Sequence, residues 1–223
     1  MQDLVDWSGV AFDAPERIAG DHAVLERLRA DRHADDLARA FAGDADAWRY
    51  MPYGPFADAA AYHDWAEGAE AAADPYFYAI GAGGTWVGTG AIMRVDRANG
   101  VAEIGHLAFS SALRRSVVAT ETFHLMLDLL FAAGFRRVEW KCDAGNAASL
   151  RAAKRLGFVA EGVFRQHLVV KGANRDTAWF SILDREWPDL RAAHRAWLDP
   201  GNVGADGLQR RSLADLVAGT RPT

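Results

Sequence analysis

The sequence predicts a single α/β (α+β) domain, a mixed and mostly antiparallel central sheet with helices on both faces. Three features predict it. Stretches that alternate apolar and polar residues take turns with stretches of helical apolar period. Three successive strands are separated only by short Gly- and Asn-containing turns, as in an antiparallel meander. A helix that is apolar nearly all round lies between two strands and must be covered on most sides.

Residues 1 to about 20 read as an irregular arm punctuated by Gly9, Pro15 and Gly20. Residues 22–30, HAVLERLRA, alternate like a half-buried strand. A helix follows over 32–43, ended by Gly43. Residues 48–56, WRYMPYGPF, are broken by Pro and Gly and rich in aromatics. Such a loop either lines a site or packs on its own core. Tyr50, Tyr53 and Phe56 are its candidate substrate-lining residues, together with Trp140. A helix spans 58–73 with Asp58 as N-cap. Strands are expected at 76–80, 85–95 and 101–109, the apolar helix at 117–134 and a strand at 136–143. After a short helix from Asn146, residues 158–171 and 176–184 form a hairpin through GANR. From Glu186 a helix with Pro in its first turn runs to Pro200. The order β-α-α-β-β-β-α-β-α-β-β makes one domain over 21–185, preceded by the 1–20 arm. A C-terminal helix and tail, 186–223, pack on the same domain.

Composition narrows the function. The chain has 223 residues, 50% hydrophobic and 25% charged, enough for a sizeable core without covalent staples. Its net charge of −5 is the wrong sign for a nucleic-acid footprint. The longest apolar stretch is interrupted by His124 and Asp128 and is too short to span a bilayer. The start is acidic, with no basic and apolar leader pattern. The single cysteine, Cys142, excludes an internal disulfide and suits a reducing cytoplasm. It reads as a buried structural thiol. No His-x-x-x-His or Cys-x-x-Cys spacing points to a metal. The apolar 117–134 helix and the eight tryptophans suggest a homodimer.

The most informative stretch is CDAGNAASLRAAKRLGFVAEG, residues 142–162. Asn146 is a favoured N-cap, Leu150, Ala153 and Leu156 make an apolar stripe, and Gly157 closes the helix. Capping alone would explain these residues. Three other pieces accompany it in order: VAEIGHLAF (101–109), LRRSVVATETF (113–123) and DTAWFSILDREW (176–187). In that order and spacing the chain resembles the GNAT superfamily of acetyl-CoA-dependent N-acetyltransferases, and within it the ribosomal-protein N-terminal acetyltransferase branch. The likeness covers roughly residues 20–185.

The resemblance implies a V-shaped splay between the fourth and fifth strands. It implies acetyl-CoA as co-substrate, no metal, and a primary amine as acceptor, on a protein N-terminus or a small molecule. A non-catalytic acyl-CoA-binding module is the alternative. It implies that the backbone at Leu107, Ala108 and Phe109 pairs with the pantetheine arm. Arg114, Arg115, Val117, Val118, Ala119 and Thr120 would surround the pyrophosphate at a helix N-terminus. Asn146, Ser149 and Arg151 would line the same arm, with Lys154 as a further phosphate cation. Val117 stands where the family's loop pattern has glycine, so the loop keeps its shape only if Val117 holds a negative φ. Ser149 would hydrogen-bond the departing thiolate. Glu103 is the candidate base, unless it is simply ion-paired. His106 should lie on the opposite strand face by the two-residue period, as a hydrogen-bonded core histidine. At pH 7 freeing an α-amine of its proton costs roughly 1–1.4 kcal/mol, against about 4.6 for a lysine. An α-amine therefore asks less of the base.

Overall fold

The sheet starts inside the segment read as an irregular arm. In the computed structural model, which describes residues 4–206 and 208–220, Arg17–Ala19 form β1, paired antiparallel with β2, Val24–Arg27. A three-residue strand is too short for alternation to show; β1 forms because β2 offers it an edge. Upstream, Val10 and Phe12 are buried in the main core. The arm is thus part of the sheet and the core, while residues 1–3, 207 and 221–223 of the arm and tail lie outside the described residues.

Helix α1, Ala30–Ala40, leads through a 3-10 turn at Ala45–Trp48 to α2, Ala59–Glu70, capped by the Asp58 side chain on the Ala61 amide. The meander is β3, Tyr76–Ala82, β4, Thr85–Asp96, and β5, Val101–Phe109. Helix α3, Val117–Ala132, returns the chain to β6, Arg137–Asp143, which runs parallel to β5. Helix α4, Ala147–Leu156, precedes β7, Val159–Val170, and β8, Ala173–Leu183. Strand β8 inserts beside β6, so the eight strands lie in the order β1-β2-β3-β4-β5-β6-β8-β7. Helix α5, Trp187–Leu198, and α6, Leu213–Ala218, complete the described chain.

Alternate residues of each strand feed two cores. Tyr78, Ile80 and Ile104 join side chains of α3, α5 and α6 on one face; Phe77, Ala79 and Ala91 join α1 and α2 on the other. Helices on both faces follow. The apolar surface of α3 is spent inside the chain: Phe123, Met126, Leu127 and Leu130 are buried in the main core. The homodimer expected from that surface therefore loses its argument. Exposed apolar side chains lie instead on β7, at Val163, Phe164 and Val169.

Two buried polar groups tie distant segments together. Glu121 of α3 accepts hydrogen bonds from the amides of Asp21, His22 and Ala23 at 3.0, 2.6 and 2.5 Å, satisfying the β1–β2 turn. Gly20 permits this, because a Cβ there would come within 2.5 Å of the Glu121 carboxyl. His194 of α5 places Nε2 3.0 Å from the Leu156 carbonyl oxygen at the end of α4. A carbonyl accepts only, so Nε2 carries the proton and donates.

Removing the Glu121 carboxylate leaves three inward amides short of an acceptor. Glu121→Ala should cost about 2 kcal/mol, a fall in Tm of roughly 4–8 °C at this size. A variant melting with the wild type would refute the linchpin role.

The histidines set an acid limit. Burial pushes His194 and His106 down to about 4 from 6.5. The unfolded chain binds these protons near 6.5 and the folded chain does not, so stability is full above that pH and declines as pH falls from about 6.5 toward 4. Melts across this range should show the decline, and His194→Gln should make it shallower. Parallel curves for the two proteins would contradict it.

Candidate active site

The cleft exists because two neighbouring strands stop pairing. Strands β5 and β6 share three rungs, Val101–Arg137, Ala102–Val138 and Glu103–Glu139. Beyond them β5 continues to Phe109 and β6 to Asp143 without pairing. This is the splay expected between the fourth and fifth strands of the sequence reading. The edge of β5 from Ile104 to Phe109 presents backbone donors and acceptors to the gap, a template for an extended ligand.

The last rung would set two carboxylates side by side. Lys141 Nζ resolves this, 2.8 Å from Glu103 Oε2 and 2.7 Å from Glu139 Oε2. Arg94 Nη1 donates to the same Glu103 oxygen at 2.7 Å. Glu103 is 4% exposed and its Oε2 is held by two cations. Accepting a proton there would break both pairs. Glu103 is thus the ion-paired residue that the sequence left as the alternative, and it sits at the apex of the splay.

His106 is not on the opposite face. Thr89 pairs with Ala108 and Ala91 with Gly105, so His106 and Leu107 together face Gly90 in a β-bulge, with His106 at φ 50°. The extra residue turns the imidazole into the cleft beside Glu103. Its Nδ1 lies 3.2 Å from Tyr53 Oη and its ring stacks on Tyr53 at 5.5 Å. Burial first, then Arg94 and Arg175, hold His106 at about 4, so it is neutral near pH 7.

The cavity between the splayed strands is about 510 Å³. On one side lie Leu107, Phe109, Trp140, Cys142 and Ser149. The Asn146 side chain caps α4 by accepting the Ser149 amide at 3.1 Å, as expected. Trp140 Nε1 donates to Ser149 Oγ at 2.9 Å. With its oxygen already accepting, the Ser149 hydroxyl is a donor, and Cys142 Sγ lies within its reach. Trp140, expected as a substrate-lining residue, is 4% exposed and packs between Phe123 and Phe158. Its part is to aim Ser149. Burial raises the Cys142 thiol, which suits a structural residue.

Of the aromatic loop, only Tyr50 among the expected residues lines the cavity, its Oη donating to the Gly145 carbonyl at 3.1 Å. Tyr53 reaches the cleft through His106. Phe56 stands in a cluster with Trp48, Tyr62 and Trp65 on the α1–α2 core. This part of the loop packs on its own core, and its aromatics cannot be assigned to the acceptor.

A second cavity of about 630 Å³ joins the first through Phe109, Arg114, Phe123 and Ala148. Arg114, Arg115, Arg151 and Arg155 line it, with Ser116, Ala119 and Thr120, and no carboxylate lines it. Ser116 caps α3 by accepting the Ala119 amide at 3.1 Å, which leaves the first-turn amides of Val117 and Val118 without intrahelical acceptors. Val117 opens the helix in right-handed geometry, and the left-handed residue is Arg115, at φ 62°. The valine therefore takes no positive φ. The side chains of Val117 and Val118 pack on the main core. Ala108, 1% exposed, faces the other core. Arg114 is ion-paired with Asp44, so its charge is already committed.

Lys154 lines neither cavity, whereas Arg155 does, one turn beyond Arg151, its Nη1 3.2 Å from Thr120 Oγ1. The four-residue spacing from Arg151 was the available signal. Lys141, His167, Arg175 and Thr177 on the other flank of the first cavity had none. Among the described residues the His63, Asp64 and Glu67 trio, close enough to share an ion, lies outside both cavities.

Comparison with known proteins agrees with this geometry. The acetyltransferase (GNAT) domain model matches residues 22–159. A GCN5-related N-acetyltransferase from Brucella melitensis is 39% identical, covers 96% of this chain and 99% of its own, and superposes with a TM-score of 0.93. The N-acetyltransferase p20 of Bacillus licheniformis is 26% identical over 158 residues, 68% of this chain and 88% of its own. RimJ of Mycobacterium smegmatis, solved in complex with CoA-disulfide, shares the fold: TM-score 0.68 at 24% identity, over 78% of this chain and 88% of its own. The chain belongs to the GNAT acetyltransferase domain family and is an acyltransferase.

Proposed function

We propose that the protein transfers the acetyl group of acetyl-CoA to a primary amine, an N-acetyltransfer in the cytoplasm. One observation carries this: an open strand edge joins an arginine-lined lobe to a serine whose hydroxyl is aimed by an indole. The lobe fits the cofactor's phosphates, since Arg115, Arg151 and Arg155 meet no carboxylate there and the α3 first turn offers free amides. The β5 edge fits an extended amide-bearing arm. The Asn146-x-x-Ser149, Leu156-Gly157-Phe158 and Glu161-Gly162 motif supports the ribosomal-protein N-terminal branch.

Acetyl-CoA, when bound, supplies the acetyl group, and its sulfur departs as a thiolate. Ser149 Oγ–H donates to that sulfur, while Trp140 holds the oxygen from behind. The attacking amine must shed a proton. We assign its receipt to His106, in the tautomer that donates from Nδ1 to Tyr53 Oη and leaves Nε2 open. A base held near 4 is weak, but the nitrogen turns acidic as it bonds to carbon, and an α-amine at about 7.7–8.0 asks less of it than a lysine at about 10.4. Glu103 keeps the strands apart and the amine's approach fixed.

Calorimetry tests the cofactor. Wild-type protein should bind acetyl-CoA, and the triple replacement of Arg115, Arg151 and Arg155 by Ala should weaken binding and flatten its salt dependence. Unchanged affinity at low salt would move the phosphates elsewhere.

The chemistry is tested by rates on one acceptor. Ser149→Ala should lower turnover about 10²-fold with acetyl-CoA affinity nearly unchanged, and Trp140→Phe, which removes only the aiming bond, roughly 5-fold. His106→Asn, which tolerates the positive φ, should lower the rate without lowering Tm. Glu103→Gln should lower both. Rate loss confined to Glu103→Gln, at unchanged Tm, would return the base to Glu103.

A further inference from the structure

We propose that the acceptor carries a carboxylate a few bonds from its amine, and that Arg175 receives it. This deepens the reading above and rests on it for the position of the amine.

Arg175 lies on β8, opposite Leu168 of β7, on the sheet face shared by Thr177 and, across the β6 pairing, Asp143 and Lys141. It lines the splayed cavity. His106 and Cys142 line the same cavity. Among the described residues it makes no hydrogen bond and no ion pair, and its Nε is shut off from solvent without a partner. Dehydrating a guanidinium nitrogen and leaving it unpaired is unfavourable, and folded chains ordinarily match such a group with an acceptor.

Among the described residues no carboxylate of the cleft pairs with it, and those nearest it in the sheet already hold other donors. Glu103 is engaged by Arg94 and Lys141. Glu139 is engaged by Arg137 and Lys141. Asp143, on the neighbouring rung, accepts the Gly145 amide at 2.7 Å. Asp74, near Arg94, accepts the amides of Arg94 and Val95. Asp176, adjacent in sequence but on the other face, accepts from Gln166 and Asn174. The Thr177 hydroxyl is 3.0 Å from His167 Nδ1. The flank that faces the acceptor thus presents Arg94, Lys141 and Arg175 beside Glu103 and Asp143, with Arg175 the cation left unpaired.

A planar guanidinium lining the cavity suits the paired oxygens of a carboxylate, and a fork geometry gives direction as well as attraction. The site is small enough to set the amine by the carboxylate's position. Anchoring one end of a short acceptor fixes the other against the thioester carbon, which is how a remote charge contributes to rate. A bound carboxylate would also offset one of the two positive charges that, behind burial, hold His106 low. Free amino acids and acidic first residues of peptides share this chemistry.

The first arm of the test needs no turnover. Thermal melts of the full chain are recorded with millimolar amino acids, with dipeptides opening on Asp or Glu, and with each one's carboxamide counterpart. At least one carboxylate member should raise Tm while its amide does not, and Arg175→Gln should abolish the difference. Free amino acids alone shifting Tm identifies a small-molecule acceptor; dipeptides alone identify an acidic N-terminus. If no member shifts Tm, if amides shift it equally, or if Arg175→Gln keeps the preference, the proposal is overturned.

The second arm measures acetyl transfer on the responding pair. Carboxylate should be preferred over amide by about 10²-fold in kcat/KM or more, with Arg175→Lys intermediate and Arg175→Gln near unity. Acetyl-CoA calorimetry on the same proteins separates the two readings. A carboxylate-dependent Tm shift lost in Arg175→Gln without acetyl transfer would sink the enzymatic assignment and leave the anion site standing. Transfer with no carboxylate preference would do the reverse.

Discussion

The whole site depends on one break in strand pairing. Parallel strands β5 and β6 are neighbours for three rungs and then diverge. Left alone, two strands at this spacing would go on exchanging hydrogen bonds, because unpaired backbone groups inside a protein are costly. What stops them lies at the third rung. Glu103 and Glu139 face one another there, and the chain inserts Lys141 between them and adds Arg94 and Arg137 outside. Replacing one ion of such a buried lattice would strand the others, so the apex is fixed even though its net contribution to stability is modest. From that fixed point β5 keeps one free edge and the cavity opens.

Strand β6 then separates two kinds of chemistry by its pleat alone. Trp140 and Cys142 point to the main core, where the indole meets Ser149 at the start of α4. Lys141 and Asp143 point the other way, toward Thr177 and Arg175 on β8. The Ser149 side of the cavity and the Arg175 side therefore lie on opposite faces of one strand, about a residue apart along the chain. The β-bulge at His106 performs the corresponding shift on β5: one extra residue brings the imidazole to the acceptor flank while Leu107 and Phe109 stay on the other.

Both helix N-termini at the cleft are built by the same local rule and end in different uses. At α3, Ser116 takes the Ala119 amide, leaves those of Val117 and Val118 without intrahelical acceptors, and itself lines the arginine lobe. At α4, Asn146 takes the Ser149 amide and so fixes the backbone that carries the hydroxyl. In each case a single side-chain cap satisfies part of the first turn and leaves the remainder as a functional surface.

Local sequence determined the order of elements from β2 to α5, the two caps, the αL glycine at 157 that ends α4, and the family, because these rest on spacings of one to four residues. It named Ser149, Asn146, Arg115 and Arg151, which the structure places along the two cavities, for the same reason. It could not show β1, whose three residues gain order only from the edge of β2. It put His106 on the wrong face, since a bulge cancels the two-residue period and is decided by the partner strand. It offered Tyr53 and Phe56 to the cavity wall, although hydrophobic side chains of this size are claimed by whichever core lies nearest. It gave Arg114 to a phosphate and Glu103 to proton transfer without their partners Asp44, Arg94 and Lys141 in view. Charge pairing is set by distance in space. Residues from 9 to 70 positions apart met only after the sheet had closed, and the unpaired guanidinium of Arg175 became visible only once Glu103 and Lys141 had found their partners.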